Sequence, residues 1–253
     1  MEKLAFGIPK PSCDKATVEK CIRVVLRLVA TLAQKFDGDH PDVRYAANIM
    51  IFRLASELTG PGLDELQERL QFSEEGVGVE NLRGLLDLEL SLSTIASDLN
   101  SNRDPNLTGF ALPIPKTART ESGMKVLPGA PVAFVDKEVD IYIDTRNLRE
   151  WCDKYGDFTE DVKRQLEAYF NKNEGIIRSF VSIPLFCSTD EDEKKTDPIA
   201  ILNIHSNRPG LLKEKGEPVI HFVAIIRPIQ VIISKLLVAY LHSSCNAGSQ
   251  EAP

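Results

Sequence analysis

The stretch 176–212, IIRSFVSIPLFCSTDEDEKKTDPIAILNIHSNRPGLL, decides how this chain is read. Two runs rich in β-branched and apolar residues, Ile177–Phe186 and Pro198–His205, flank a charged, turn-prone segment, Ser188–Asp197. Such runs suit a pleated, half-buried surface and the polar segment suits a solvated tip, so the pattern predicts an antiparallel hairpin of long strands. Side chains two apart on a strand share a face, which sets Asn203 beside His205.

Downstream, Val219–Leu241 is apolar and long enough to cross a bilayer, but Arg227, Pro228, Gln230 and Lys235 interrupt its middle. Arg227, Gln230 and Ser234 recur at helical spacing and predict one polar stripe on an otherwise apolar helix, buried on two sides. No membrane span is expected. The small, polar tail 243–253 is expected to be disordered.

Upstream, Arg146–Asn171 predicts two helices, the first capped by Thr145 and the second by Asp157 or Thr159. Val139–Asp144 alternates as a strand, and Pro128–Val135 predicts a short helix with proline in its first turn. Pro113 and Pro115 restrict Gly109–Pro115 to a sheet edge. Leu86, Leu88, Leu90 and Leu92 alternate with Asp87, Glu89, Ser91 and Ser93, predicting a strand with one buried and one wet face. Val43–Leu54 predicts the first strand and Leu63–Leu70 a short amphipathic helix. From an N-cap at Asp14, a further helix carries Cys21, Ile22, Val25, Leu28, Val29, Leu32 and Phe36 on its apolar face. Residues 1–13 read as a flexible leader. The expected organisation is one α+β domain, 14–242, with an antiparallel sheet.

The net charge of -7 argues against a general nucleic-acid binder, which needs a basic face. Five scattered cysteines without a C-x-x-C, and four histidines at no ligand spacing, point to a reducing, cytoplasmic setting and to no structural metal. No phosphate-cradling glycine loop, H-E-x-x-H or Ser-His-Asp order stands out.

Several motifs taken in order resemble a GAF-type sensor domain. They are Pro128-Gly129-Ala130-Pro131, then Val139–Asp144, then Asp144-Thr145-Arg146 followed by Trp151 and Tyr155. After them come Arg178–Leu185 and Ile201–Ser206. The resemblance spans roughly 15–242 and is better after Pro128. It implies a GAF-like central antiparallel sheet with the N- and C-terminal helices on one face. A helical and loop roof over a ligand pocket would cover the other. Glu57–Gly84 and Ser97–Lys125 depart from the family as insertions. The cyclic-nucleotide signature of some members is not reproduced: Asn171-Lys172 and Asn207-Arg208 are only partial matches, and no Asp-Glu pair follows Phe222. No bilin-attaching cysteine pattern is recognisable, and the ligand stays unnamed.

The residues that such a pocket could use are Asp144, Trp151, Tyr155, Arg178, Ser179, Asn203 and His205. Arg178 offers a planar fork of donors suited to a carboxylate or phosphate, or a salt bridge to Asp144 or Glu174. Trp151 and Tyr155, four apart on a helix, could stack on a planar ligand or pack on the sheet. His205 could bond a ligand or tie down the turn after its strand. Cys152 and Cys187 raise the alternative of a cysteine-dependent, sulfoxide-reductase-like enzyme, which would need a thiol of lowered pKa. The leading expectation is a stand-alone sensing or regulatory domain that acts in signal transduction through a partner protein. A ligand-free protein-interaction scaffold is the other alternative. Cys21, Val25, Ile225, Ile232 and Leu236 mark an apolar surface suited to a homodimer through the terminal helices.

Overall fold

A computed structural model describes residues 14–58, 65, 68–73, 78–96, 103–187, 196–212 and 219–247. Its centre is a six-stranded antiparallel sheet made of β1 (Tyr45–Leu54), β2 (Leu82–Ile95), β3 (Ala111–Pro115), β4 (Asp140–Tyr142), β5 (Ser179–Leu185) and β6 (Ala200–Ser206), in the order β3-β2-β1-β6-β5-β4. The α+β class holds. The expected hairpin is β5–β6, in register from Ser179 opposite Ser206 to Leu185 opposite Ala200. Its tip, the expected leader 1–13 and most of the expected helix Leu63–Leu70 lie outside the described residues. Proline-bearing β3 is an edge strand, as its missing N–H groups require.

One sheet face is covered by α1 (Lys15–Phe36) and α5 (Val219–Ala247), which pack on each other. Asp14 caps α1 by accepting the Thr17 N–H at 2.8 Å, and Gly38 at φ 110° ends it in the left-handed region. Val18, Ile22, Leu26, Val29 and Ala33 of α1 meet Phe222, Ile226, Ile233 and Leu237 of α5 in one core with Ile49, Ile183 and Leu202 of the sheet. Each fully buried Leu, Ile or Phe contributes roughly 1.5–3 kcal/mol. The expected apolar face of α1 is rotated relative to this core: Cys21 and Leu28 are exposed, and Leu26 takes the inner position.

Of the expected polar stripe on α5, Gln230 and Ser234 are buried and sit within the seam between Ile226 and Leu237, whereas Arg227 is exposed. Isoleucines 220, 225 and 232 face outward too. The helix also continues to Ala247, through the first residues of the expected disordered tail. It is long and apolar enough to cross a membrane by length and composition, and a third of its most apolar window is buried.

The opposite face carries α2 (Ala130–Asp136), α3 (Leu148–Tyr155) and α4 (Glu160–Lys172). Thr159, rather than Asp157, caps α4. Thr145 is not the cap of α3: it begins a 3-10 turn, Thr145–Asn147, and Asp144 caps that turn by accepting the Arg146 N–H. The leucine alternation of β2 does not keep one wet face. Leu86 and Leu88 lie in the core beneath these short helices, whereas Leu92 lies in the α1/α5 core. A register shift against β1, between the pairs Met50–Leu88 and Asn48–Ser93, transfers the same sequence parity to the other side.

Candidate functional site

Between the sheet and its short helices lies a cavity of about 90 Å³. Its floor comes from alternate residues of the three central strands: Asn48 and Met50, Phe180 and Ser182, Asn203 and His205. Ser182 stands opposite Asn203, and Asn203 opposite Asn48, in the strand register. Their side chains bond in that row. Ser182 Oγ donates to Asn203 Oδ1 at 2.8 Å, and Asn203 Nδ2 donates to Asn48 Oδ1 at 3.0 Å. A polar ladder therefore crosses the middle of a buried sheet face, where apolar residues would otherwise be expected.

The walls are aromatic. Tyr169 meets Phe72, Phe110 and Phe170 edge-on with ring centroids 5.4, 5.8 and 5.1 Å away, and Phe170 stacks on Phe180 at 6.2 Å. All five rings line the cavity, with Ala130, Leu148 and Leu166 of the roof helices. Gly129, which opens α2, is required here twice over. Its φ of 89° is costly for any side chain, and a Cβ would come within 2.5 Å of the Phe180 ring. Its N–H is held by Asp140 Oδ2, fixing α2 to β4.

His205 adjoins the ladder and is 2 % exposed. It lines the cavity, and its Nε2 has no hydrogen-bond partner. Burial lowers its pKa to about 4; Asp104 opposes that shift and Arg44 reinforces it. The imidazole is therefore neutral at ordinary pH. Asp104 and Arg44 form an ion pair with each other behind it. Burial also pushes the Tyr169 phenol up to about 12. Among the described lining residues there is no Asp, Glu, Lys or Arg.

The structure brings only Asn203 and His205 of the seven sequence-derived candidates to this cavity. Arg178 is buried and bidentate between Glu174 (2.6 Å) and Asp144 (2.8 Å), so its fork is occupied by the chain's own carboxylates. Ser179 donates to the Arg208 carbonyl and accepts from the Leu211 N–H, which fixes the turn after β6. Trp151 and Tyr155 contact each other with centroids 5.9 Å apart on α3, away from the cavity lining, and Tyr155 is exposed. Sequence reasoning missed Asn48, Ser182 and the aromatic wall. The polar Asn48 inside the run YAANIMIF was the available signal.

Cys152 is fully buried and burial pushes its thiol up to about 11, the reverse of an activated nucleophile; Cys187 is exposed. A wider depression of about 440 Å³ lies beside β3. Of its two carboxylates, Glu80 and Asp157, the latter is already engaged by Thr120, Ser122 and Lys125. Comparison of the chain with protein-family models, curated proteins and solved structures gives no match.

Proposed function

We propose that this chain is a GAF-like small-molecule-sensing or regulatory domain, cytoplasmic, acting through a partner protein. The observation that carries the reading is the cavity floored by Ser182, Asn203, Asn48 and His205 in the middle of an otherwise apolar sheet face. A fold has no packing reason to place four polar side chains there, because burying each has a desolvation cost that a hydrophobic residue avoids. The three-layer arrangement, with the terminal helices on one face of the sheet and short helices on the other, supports the same reading.

The route from pocket to output runs through the start of β5. Arg178 clamps Glu174 at the end of α4 to Asp144 before α3, and the Thr145 N–H donates to its carbonyl at 2.9 Å. Next to it, Ser179 holds Leu211, which lies in the α1/α5 core. A ligand that binds better when α3 and α4 are shifted would bias this clamp, and with it the packing of the terminal helices. The exposed apolar strip of those helices, Cys21 and Leu28 with Ile225 and Ile232, flanked by half-buried Val25 and Leu236, then meets a second copy.

The test is native mass spectrometry of the purified chain beside its denatured mass. A small adduct that denaturation releases supports the sensing reading. A bare protein whose thermal stability responds to no small-molecule panel overturns it in favour of a protein-interaction scaffold, a reading that the modest cavity volume and outward isoleucines also favour.

A further inference from the structure

We infer that the cavity selects a compact, uncharged aromatic alcohol of phenol type, its ring held by the aromatic wall and its hydroxyl by the His205–Asn203–Ser182 floor. The inference rests on reading the cavity as a ligand site, and it names the ligand's chemistry.

Size limits the occupant first. A cavity of about 90 Å³ is smaller than the roughly 150 Å³ that holds benzene in an engineered protein core. A single ring already exceeds the space as it stands, so it enters only if half-buried Tyr169 or Phe170 moves aside, and anything larger is excluded. Shape and polarity come next. Phe72, Phe110, Tyr169, Phe170 and Phe180 present ring faces and edges, which favour a planar guest.

Charge is then excluded. With no ionic side chain among the described lining residues, a carboxylate, phosphate or ammonium would enter without a counter-charge, at a desolvation cost that its other contacts do not repay. The lowered pKa of His205 and the raised one of Tyr169 report the same low-dielectric surroundings. Finally, the floor asks for one group able to donate and accept. Ser182 spends its hydroxyl proton and Asn203 one of its two amide protons along the ladder, and neutral His205 has a nitrogen without a partner. A hydroxyl serves both needs, as a bare ring does not.

The experiment titrates the 253-residue chain with phenol, benzene and benzoate, following tyrosine, phenylalanine and methyl resonances of the cavity, and repeats phenol and benzene on His205→Leu. Expected is phenol binding about tenfold tighter than benzene, the scale of one buried hydrogen bond, with benzoate not binding. His205→Leu should erase the preference while leaving benzene affinity in place. If that variant does not fold, the ordering of the three probes on the native chain decides.

Benzene binding as well as phenol, or benzoate competing with it, overturns the hydroxyl or charge selection while the ligand site stands. No binding by any probe, with a different small molecule released on denaturation, overturns the ligand class alone. No binding and no adduct overturns both this inference and the sensing reading beneath it.

Discussion

The two faces of the sheet solve different problems with the same strands. On the α1/α5 face, two long helices of 22 and 29 residues lie against Ile49, Ile183, Leu202 and Ile204 in a continuous apolar core. On the other face, helices of 7, 8 and 13 residues leave a cavity, and the strands turn Asn48, Ser182, Asn203 and His205 toward it. Strand alternation makes this division of labour feasible: residues 202 and 204 serve the structural core while 203 and 205 serve the cavity. The lesson is that a long-helix face can carry stability and free its opposite to hold polar groups and empty space.

The comparison breaks most visibly under truncation. Leu26→Ala removes a fully buried side chain from the long-helix core and should cost about 2–5 kcal/mol in urea unfolding. Leu166→Ala, at the cavity wall, should cost clearly less, about 2 kcal/mol or below, because part of that side chain already faces empty space. Equal losses would mean the two faces are packed alike.

Next in size is the pH response of His205. Its folded pKa of about 4 lies below the ordinary value of 6.5. The unfolded chain thus takes up a proton that the folded chain refuses, so its contribution is complete above pH 6.5 and drains as pH falls toward 4. The shift amounts to roughly 3 kcal/mol if fully expressed. Asp104 and Arg44 are the charged groups that act on it. Buried Asp37 and Asp87 and half-buried Asp140 have raised pKa values and tilt stability the opposite way, gaining as they protonate. The quantity to measure is therefore the difference between the native chain and His205→Gln at matched pH. A difference that stays constant from pH 7 to 4 would show the imidazole to be solvated rather than enclosed.

Much of this division was legible in the sequence because it follows strand and helix periods. The β5–β6 hairpin, the edge strand with Pro113 and Pro115, and the pairing of Asn203 with His205 all follow from local rules. What was not legible depends on non-local register. The shift between β1 and β2 sends Leu92 to the opposite face from Leu88, and nothing in the leucine spacing announces it. The partner of Asn203 lies 155 residues away at Asn48. Arg178 lies between the two cases: its salt bridges to Glu174, four residues before it, and to Asp144 are the pairing the sequence offered beside a ligand fork. The α5 stripe was legible only as a stripe: helical spacing says which residues share a side, but only packing says which side is inward.

Gln230 tests that last point with a smaller effect. It sits in the long-helix seam, 4 % exposed, with Oε1 receiving the Arg227 guanidinium at 3.4 Å and Nε2 unpartnered. Gln230→Met keeps the volume and removes the unmet donor, so it should be neutral or stabilising by about 1 kcal/mol. A clear loss in thermal unfolding would show that the amide finds a partner in solution and that the seam is polar by design.

The smallest expected effect on folding separates the inner and outer sides of the same two helices. Ile225 and Ile232, seven residues apart on α5, are 56 % and 50 % exposed, and Leu28 of α1 is 48 % exposed. Because their side chains already meet water, Ile225→Asp with Ile232→Asp should change monomer stability by only about 0.5 kcal/mol each. The same pair should convert a dimer to a monomer in sedimentation velocity, since two charges per copy would be buried unpaired across a self-complementary strip. A folded double variant that sediments like the native chain would remove these helices from any self-association. A variant that unfolds would show instead that the outer strip belongs to the monomer's own core.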